Sequence, residues 1–148
     1  MKKGLRWLLL ILICFFTLNT TVFASDLITP RSSLYISGTD ASIQAGSNGK
    51  ITIYFSVTGT DKMTQIGATT IYLYENNGST EKLVKTFRSS SLEYSNMMNQ
   101  NTSFHGDNVT YYDGIAGYEY RAEVYLKAAD NSGSDTIMEP TGTIRARK

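Results

Sequence analysis

The chain has 148 residues with 14 basic and 13 acidic side chains, a formal net charge of +1, 41% hydrophobic and 18% charged residues, one His and one Cys. So short and nearly neutral a chain, without a basic cluster, lacks the electrostatic footprint of a nucleic-acid or anionic-lipid binder. One His and one Cys are too few for a zinc site, and no Ser stands in a nucleophile elbow.

Lys2, Lys3 and Arg6 precede Trp7 to Leu18, an apolar run broken only by Thr17, and Val22-Phe23-Ala24 follows with small residues three and one before a cut. This order predicts a secretory signal peptide over residues 1–24, cleaved between Ala24 and Ser25. The run falls short of the about 20 apolar residues of a membrane span, so no membrane partner is expected after cleavage. Cys14 lies inside the run behind bulky Ile13, which argues against lipidation. Cleavage would remove the one Cys and the one Trp, leaving no disulfide or thiol chemistry. It would also remove three of the 14 basic residues and none of the 13 acidic ones, for a net charge of minus two. The expected location is secreted or extracellular.

Residues 25–33 read as a polar leader and residues 34–148 as a single domain. All ten Tyr fall in this part, with many Thr, Ser and Gly, and no sustained apolar 3.6 period appears. The composition is that of an all-β protein. Leu34 to Gln44 predicts an edge strand bent at Gly38-Thr39-Asp40, and Gly46 to Gly49 a turn. In Lys50 to Thr58 the inward set is Ile51, Ile53, Phe55 and Val57. Met63 to Glu75 predicts a strand in which Ile66 is out of phase with Ile71 and Leu73, with Gly67 as the bulge that repairs it. Tyr72 and Tyr74 then face outward. Asn76 to Ser79 predicts a hairpin into Leu83 to Phe87. Arg88 to Thr102 reads as a crossing loop with one short helical turn, and Ser103 to Tyr112 as a strand holding Phe104, Val109 and Tyr111 with an irregularity at Gly106-Asp107.

The clearest stretch comes next: Tyr118, Tyr120, Ala122, Val124, Leu126 and Ala128 alternate with Glu119, Arg121, Glu123, Tyr125 and Lys127. Such alternation is a strand buried on one face and wet on the other. A polar turn at 130–133 and an edge strand over Thr136 to Arg147, where Pro140 is tolerated, close the chain. Seven or so short strands separated by turns predict a two-sheet antiparallel sandwich.

The order of Ile115, Gly117, Tyr118 and Tyr120, the alternating run and the polar turn resembles the F strand of an immunoglobulin or fibronectin type III-like β-sandwich. That likeness implies a tyrosine corner at Tyr120, whose hydroxyl would turn back to the chain upstream. More widely, SLYISGTDASIQAGSNGKITIYFSVTGT, IGATTIYLYENNGSTEKLVKTF and GYEYRAEVYLKA resemble small signal-bearing extracellular proteins of clostridia-like Gram-positive bacteria. This group has an immunoglobulin-like domain and no assigned activity, so the resemblance implies no catalytic residues. Leu83 stands where the group often has Trp.

Several constellations have plainer readings than chemistry. His105, the lone His, is expected to be a surface or loop-supporting residue. Glu119 and Glu123 lie on one strand face about 13 Å apart by strand rise, too far for paired glycosidase carboxylates. Arg121 between them is expected to hold both ionised. Asp130 to Asp135 offers oxygen ligands but lacks the length and terminal Glu of a calcium loop, and turn chemistry explains it equally. Asn-X-Ser/Thr triplets begin at Asn77, Asn101 and Asn108.

The expected function is a secreted non-catalytic binding module without cofactor or metal. Its ligand, a glycan or an extracellular protein, would be contacted by Tyr72, Tyr74, Arg121 and Tyr125, which share an outer face if the sheet has the immunoglobulin order. The alternative is a structural or assembly protein self-associating through the edges Leu34 to Gln44 and Thr136 to Arg147.

Overall fold

The computed structural model describes residues 33–148, so the expected signal peptide and nearly all of the leader lie outside the described residues. The strands are β1 (Ile36–Ala45), β2 (Ile51–Met63), β3 (Gln65–Asn76), β4 (Glu81–Arg88), β5 (Met98–Asn99), β6 (Thr102–Tyr111), β7 (Glu119–Ala129), β8 (Ser134–Pro140) and β9 (Ile144–Arg145), with a 3-10 segment at Leu92–Met97. One sheet has the order β1-β2-β6 and the other β4-β3-β7-β8, every pair antiparallel. Short β5 prolongs the β4 border of β3, and β9 prolongs the β8 border of β7. The chain is an immunoglobulin/fibronectin type III-like β-sandwich whose seven longer strands carry both sheets.

Alternation builds the core. On β7, Tyr120, Ala122, Val124, Leu126 and Ala128 are buried, and the residues between them are half-exposed. Ile51, Ile53, Phe55 and Val57 of β2 meet them from the opposite sheet in one continuous cluster. Each such side chain contributes about 1.5 to 3 kcal/mol on burial.

On β3 the inward set is Ile66 and Ala68, then Ile71 and Leu73. The phase changes at Thr69, which is skipped between the pairs Ala68 with Leu126 and Thr70 with Tyr125. The bulge therefore lies two residues beyond Gly67, where the sequence placed it. Gly67 serves another end: at a φ of 145° it lets β5 cross closely, and a Cβ there would stand 2.2 Å from the Met97 carbonyl oxygen.

A second difference concerns β6. Its register against β2 sets His105 opposite Val57, Val109 opposite Ile53 and Tyr111 opposite Ile51, so these share the inner face. Phe104 is opposite Thr58 and 55% exposed, and pairing runs without interruption from 104 to 111. The expected irregularity lies instead between Thr58 and Met63, with the pairing resumed at Thr102.

Turn chemistry fixes the remaining joints. Asn77 Oδ1 accepts from the Ser79 and Thr80 backbone N–H groups while Gly78 takes a φ of 92°. At one end, Gly49 packs against Gly114 so closely that a Cβ on Gly49 would lie 2.2 Å from the Gly114 carbonyl oxygen. β1 shifts register between Ile36 and Gly38, nearer its start than expected, and Pro140 closes β8.

Candidate functional site

Pairing of β3 with β7 sets Tyr72 opposite Glu123 and Tyr74 opposite Arg121, with Tyr125 one step along beside Thr70. Tyr72, Tyr74, Arg121 and Tyr125 thus share the outer face of the β4-β3-β7-β8 sheet. All four are half-exposed. The Tyr72 and Tyr125 rings meet edge to face at 5.6 Å and 88°. The Arg121 guanidinium lies 4.4 Å from the Tyr74 ring centroid.

Arg121 is closely held. Its Nε and Nη2 donate to the two Glu81 oxygens at 2.7 Å each, and its Nη1 donates to Glu123 Oε1 at 2.8 Å. A two-pronged arginine pair of this kind has geometric as well as electrostatic value. The Arg121 hydrogen bond and charge hold Glu81 below its ordinary pKa against a smaller opposing effect of desolvation. Burial, then the hydrogen bond donated to Glu123 Oε2, raises the Tyr74 pKa. The polar atoms of Arg121, Glu81, Glu123 and Tyr74 are thus paired with one another on this face.

Two further side chains extend this face. Leu83 of β4 sits opposite Tyr74 and is 50% exposed; Met138 of β8 sits opposite Tyr125 and is 45% exposed. An apolar strip therefore crosses all four strands from Leu83 through Tyr74, Tyr72 and Tyr125 to Met138, rimmed by Glu81, Arg121 and Glu123. Sequence reasoning set Leu83 aside as a departure from Trp and gave Met138 no role. Its available signal was parity, since Leu83 and Met138 are apolar where solvent-facing residues belong.

Behind the face lies a buried polar pair. The Tyr120 hydroxyl accepts from the Ile115 backbone N–H at 2.9 Å and donates to Glu75 Oε2 in a short hydrogen bond. Glu75 is 2% exposed, and its Oε1, without a hydrogen bond of good angle, takes the Lys82 ammonium at 2.9 Å. Burial pushes the Glu75 pKa up, but the bonds from Tyr120 and Lys82 and the Lys82 charge outweigh it, leaving the pKa lowered. Burial first and the Glu75 bond second push Tyr120 well above the ordinary phenol range. Sequence reasoning missed Glu75, although it shares parity with inward Ile71 and Leu73.

The other constellations separate. Arg121 pairs with Glu123 but not Glu119, which instead takes Arg145 at 2.9 Å; the expected shared arginine is thereby corrected. The register of β7 turns Glu119 toward β9, away from the Arg121 guanidinium. Asp130 Oδ1 accepts from the Ser132 N–H and hydroxyl and from Gly133 N–H, which holds the acid low and closes the turn. Asp135 Oδ2 instead accepts from Ser33 Oγ and the Leu34 and Tyr35 N–H groups, tying the start of the domain to β8. Among the described residues no group of three or more His, Cys, Asp or Glu is placed to hold a metal ion. His105 supports the crossing segment, its Nε2 lying 2.9 Å from the Asn96 carbonyl oxygen and its ring 6.0 Å from Phe55.

No family model matches the chain, and no curated protein matches it either. Among solved structures, the chain is similar to the crystal structure of Spo0M, a sporulation control protein from Bacillus subtilis, with a TM-score of 0.41 at 13% identity. The likeness covers 74% of this chain and 49% of that one, so it spans about half the length of Spo0M.

Proposed function

We propose that the chain is a secreted, non-catalytic binding module whose ligand is an extracellular protein, held on the outer face of the β4-β3-β7-β8 sheet. The observation that supports this reading is the strip from Leu83 to Met138. Exposed apolar side chains rimmed by charges mark protein contact surfaces, and such surfaces favour Tyr, Met and Arg. The rings also argue for protein over glycan at this face. Arg121 already covers one face of Tyr74, and Tyr72 and Tyr125 stand at right angles, so the three rings make no flat bed for a sugar. Arg121, held by Glu81 and Glu123, acts by holding Tyr74 in place.

The assembly reading is less favoured by the geometry. The two expected edges, β1 and β8, stand side by side and are bridged by Asp135 and by Thr39 Oγ1, which donates to Glu139 Oε2 at 2.8 Å. Side-chain bridges along an edge leave less of it free to template another copy.

Site-specific photo-cross-linkers at Leu83 and Met138, with one at Ser42 on the opposite sheet as reference, test the proposal on the producing cells. Discrete protein adducts from Leu83 and Met138, absent from Ser42, are expected. Adducts of the chain with itself, or equal labelling from all three positions, would overturn it.

A further inference from the structure

The outer face of the three-stranded sheet is built on a different chemical plan. Register sets Ser42, Tyr54 and Asn108 in one row and Asp40, Ser56 and Gly106 in the next. Thr58 stands beside Phe104 at one end and Thr52 beside Thr110 at the other. Asp40 is the one charge over the outward positions of this paired length, and no outward side chain there is aliphatic. Apart from a 3.4 Å contact between the Thr52 and Thr110 hydroxyls, none of these side-chain polar groups is hydrogen-bonded within the described residues. On the opposite face Arg121, Glu81, Glu123 and Tyr74 pair with one another; here Asp40, Ser42, Tyr54, Ser56 and Asn108 have no such side-chain pairing among the described residues.

The rings are open as well. Tyr54 is 39% and Phe104 55% exposed, and neither joins a ring pair or a cation among the described residues. Gly106 lets the Phe104 ring lie down on the sheet: a Cβ at Gly106 would meet Phe104 Cζ at 3.2 Å and Cε1 at 3.5 Å. The ring leans along the strand over the glycine, as aromatic residues do over sheet glycines, and stays 55% exposed. Its tip ends about 7 Å, two residues of strand rise, from the row that carries Tyr54.

Charge and hydrogen-bonding capacity select the ligand. An anionic chain would meet Asp40 with no cation to receive it, and a protein partner would find two separate rings with no aliphatic side chain between them. A neutral polysaccharide fits both features. Its sugar rings present C–H faces to aromatic rings, and its hydroxyls both donate and accept, as do Ser, Thr, Tyr and Asn side chains. We infer that this face is a docking surface for a neutral polysaccharide, with Tyr54 and Phe104 as stacking rings and Ser42, Ser56 and Asn108 as hydrogen-bonding partners. The inference is independent of the protein-binding face and would survive its failure.

Retention of the purified chain on microcrystalline cellulose, chitin and starch granules, with a polygalacturonate gel as the anionic counterpart, tests it. Retention is expected on at least one neutral polymer and should be unchanged by high salt, because no charge pair contributes. Tyr54→Ala and Phe104→Ala should each weaken it at least ten-fold, and Tyr72→Ala with Tyr125→Ala should leave it intact. Asn108→Lys, an exposed change that spares both rings, should weaken it as well, and circular dichroism confirms that each variant is folded. Three results would overturn the inference: no retention on the three neutral polymers, stronger retention on polygalacturonate, or retention unaltered in the Tyr54→Ala, Phe104→Ala double variant.

Discussion

Replacing Tyr120 by Phe removes one oxygen and strands two groups. Glu75 Oε2 loses the bond from the hydroxyl, and the Ile115 N–H loses its acceptor. A hydrogen bond to a charged group is worth about 1.5 to 3 kcal/mol, and an unsatisfied part-buried N–H costs about 1 kcal/mol more, so the expected loss is about 3 kcal/mol. For a domain of this size that lowers Tm by about 12 °C at neutral pH. The pH dependence separates this account from a packing defect. Glu75 has a lowered pKa in the folded protein, so its contribution is present above the unfolded value of about 4.3 and lost as pH falls through the folded value. In Tyr120→Phe the burial that pushes this acid up is less opposed. The gap in stability between wild type and variant should therefore be full at pH 7 and shrink toward about 1 kcal/mol at an acid pH below the folded value. Urea unfolding at both pH values measures it. A gap below 1 kcal/mol at pH 7, or an equal gap at both, would refute the reasoning.

Gly67→Ala should cost more than about 3 kcal/mol or prevent folding, because the new methyl meets the Met97 carbonyl, whereas Gly78→Ala, with nothing within 4 Å, should cost about 1 kcal/mol; thermal melts compare them. Arg121→Lys gives up the paired bonds to Glu81 and the guanidinium contact with Tyr74, but at a partly solvated site the loss should stay near 0.5 to 1 kcal/mol by differential scanning calorimetry. His105→Ala removes the support of the Asn96 carbonyl, so limited proteolysis should cut within residues 89–101 several-fold faster while the global Tm falls only slightly.

Legibility in the sequence followed the physics of each element. β2 and β7 were readable because burial of one face writes itself as a period of two. In β3 the change of phase is visible in the sequence, but its site is not: Thr69 carries no mark of a bulge, and Gly67, two residues before it, invites the assignment while serving the close approach of Met97. On β6 the apolar character of Phe104 outweighed its parity, although Val109 and Tyr111 share theirs with His105. Tyr72, Tyr74, Arg121 and Tyr125 could be gathered on one face once the order of β3 and β7 was assumed. Their mutual engagement was not readable, because ring angles and arginine forks depend on neighbours contributed by β4. Leu83 and Met138 lie on strands 55 residues apart in sequence, and only the register of β4 and β8 puts them at the two ends of one strip.

Substituting Ala at both Tyr72 and Tyr125 tests the binding account most directly. The edge-to-face pair is worth about 1 kcal/mol, so the variant should remain folded with a Tm within a few degrees of wild type. Its affinity for the protein partner captured through Leu83 and Met138, measured by surface plasmon resonance, should fall at least a hundred-fold. Unchanged affinity in a folded variant would contradict the assignment of this face.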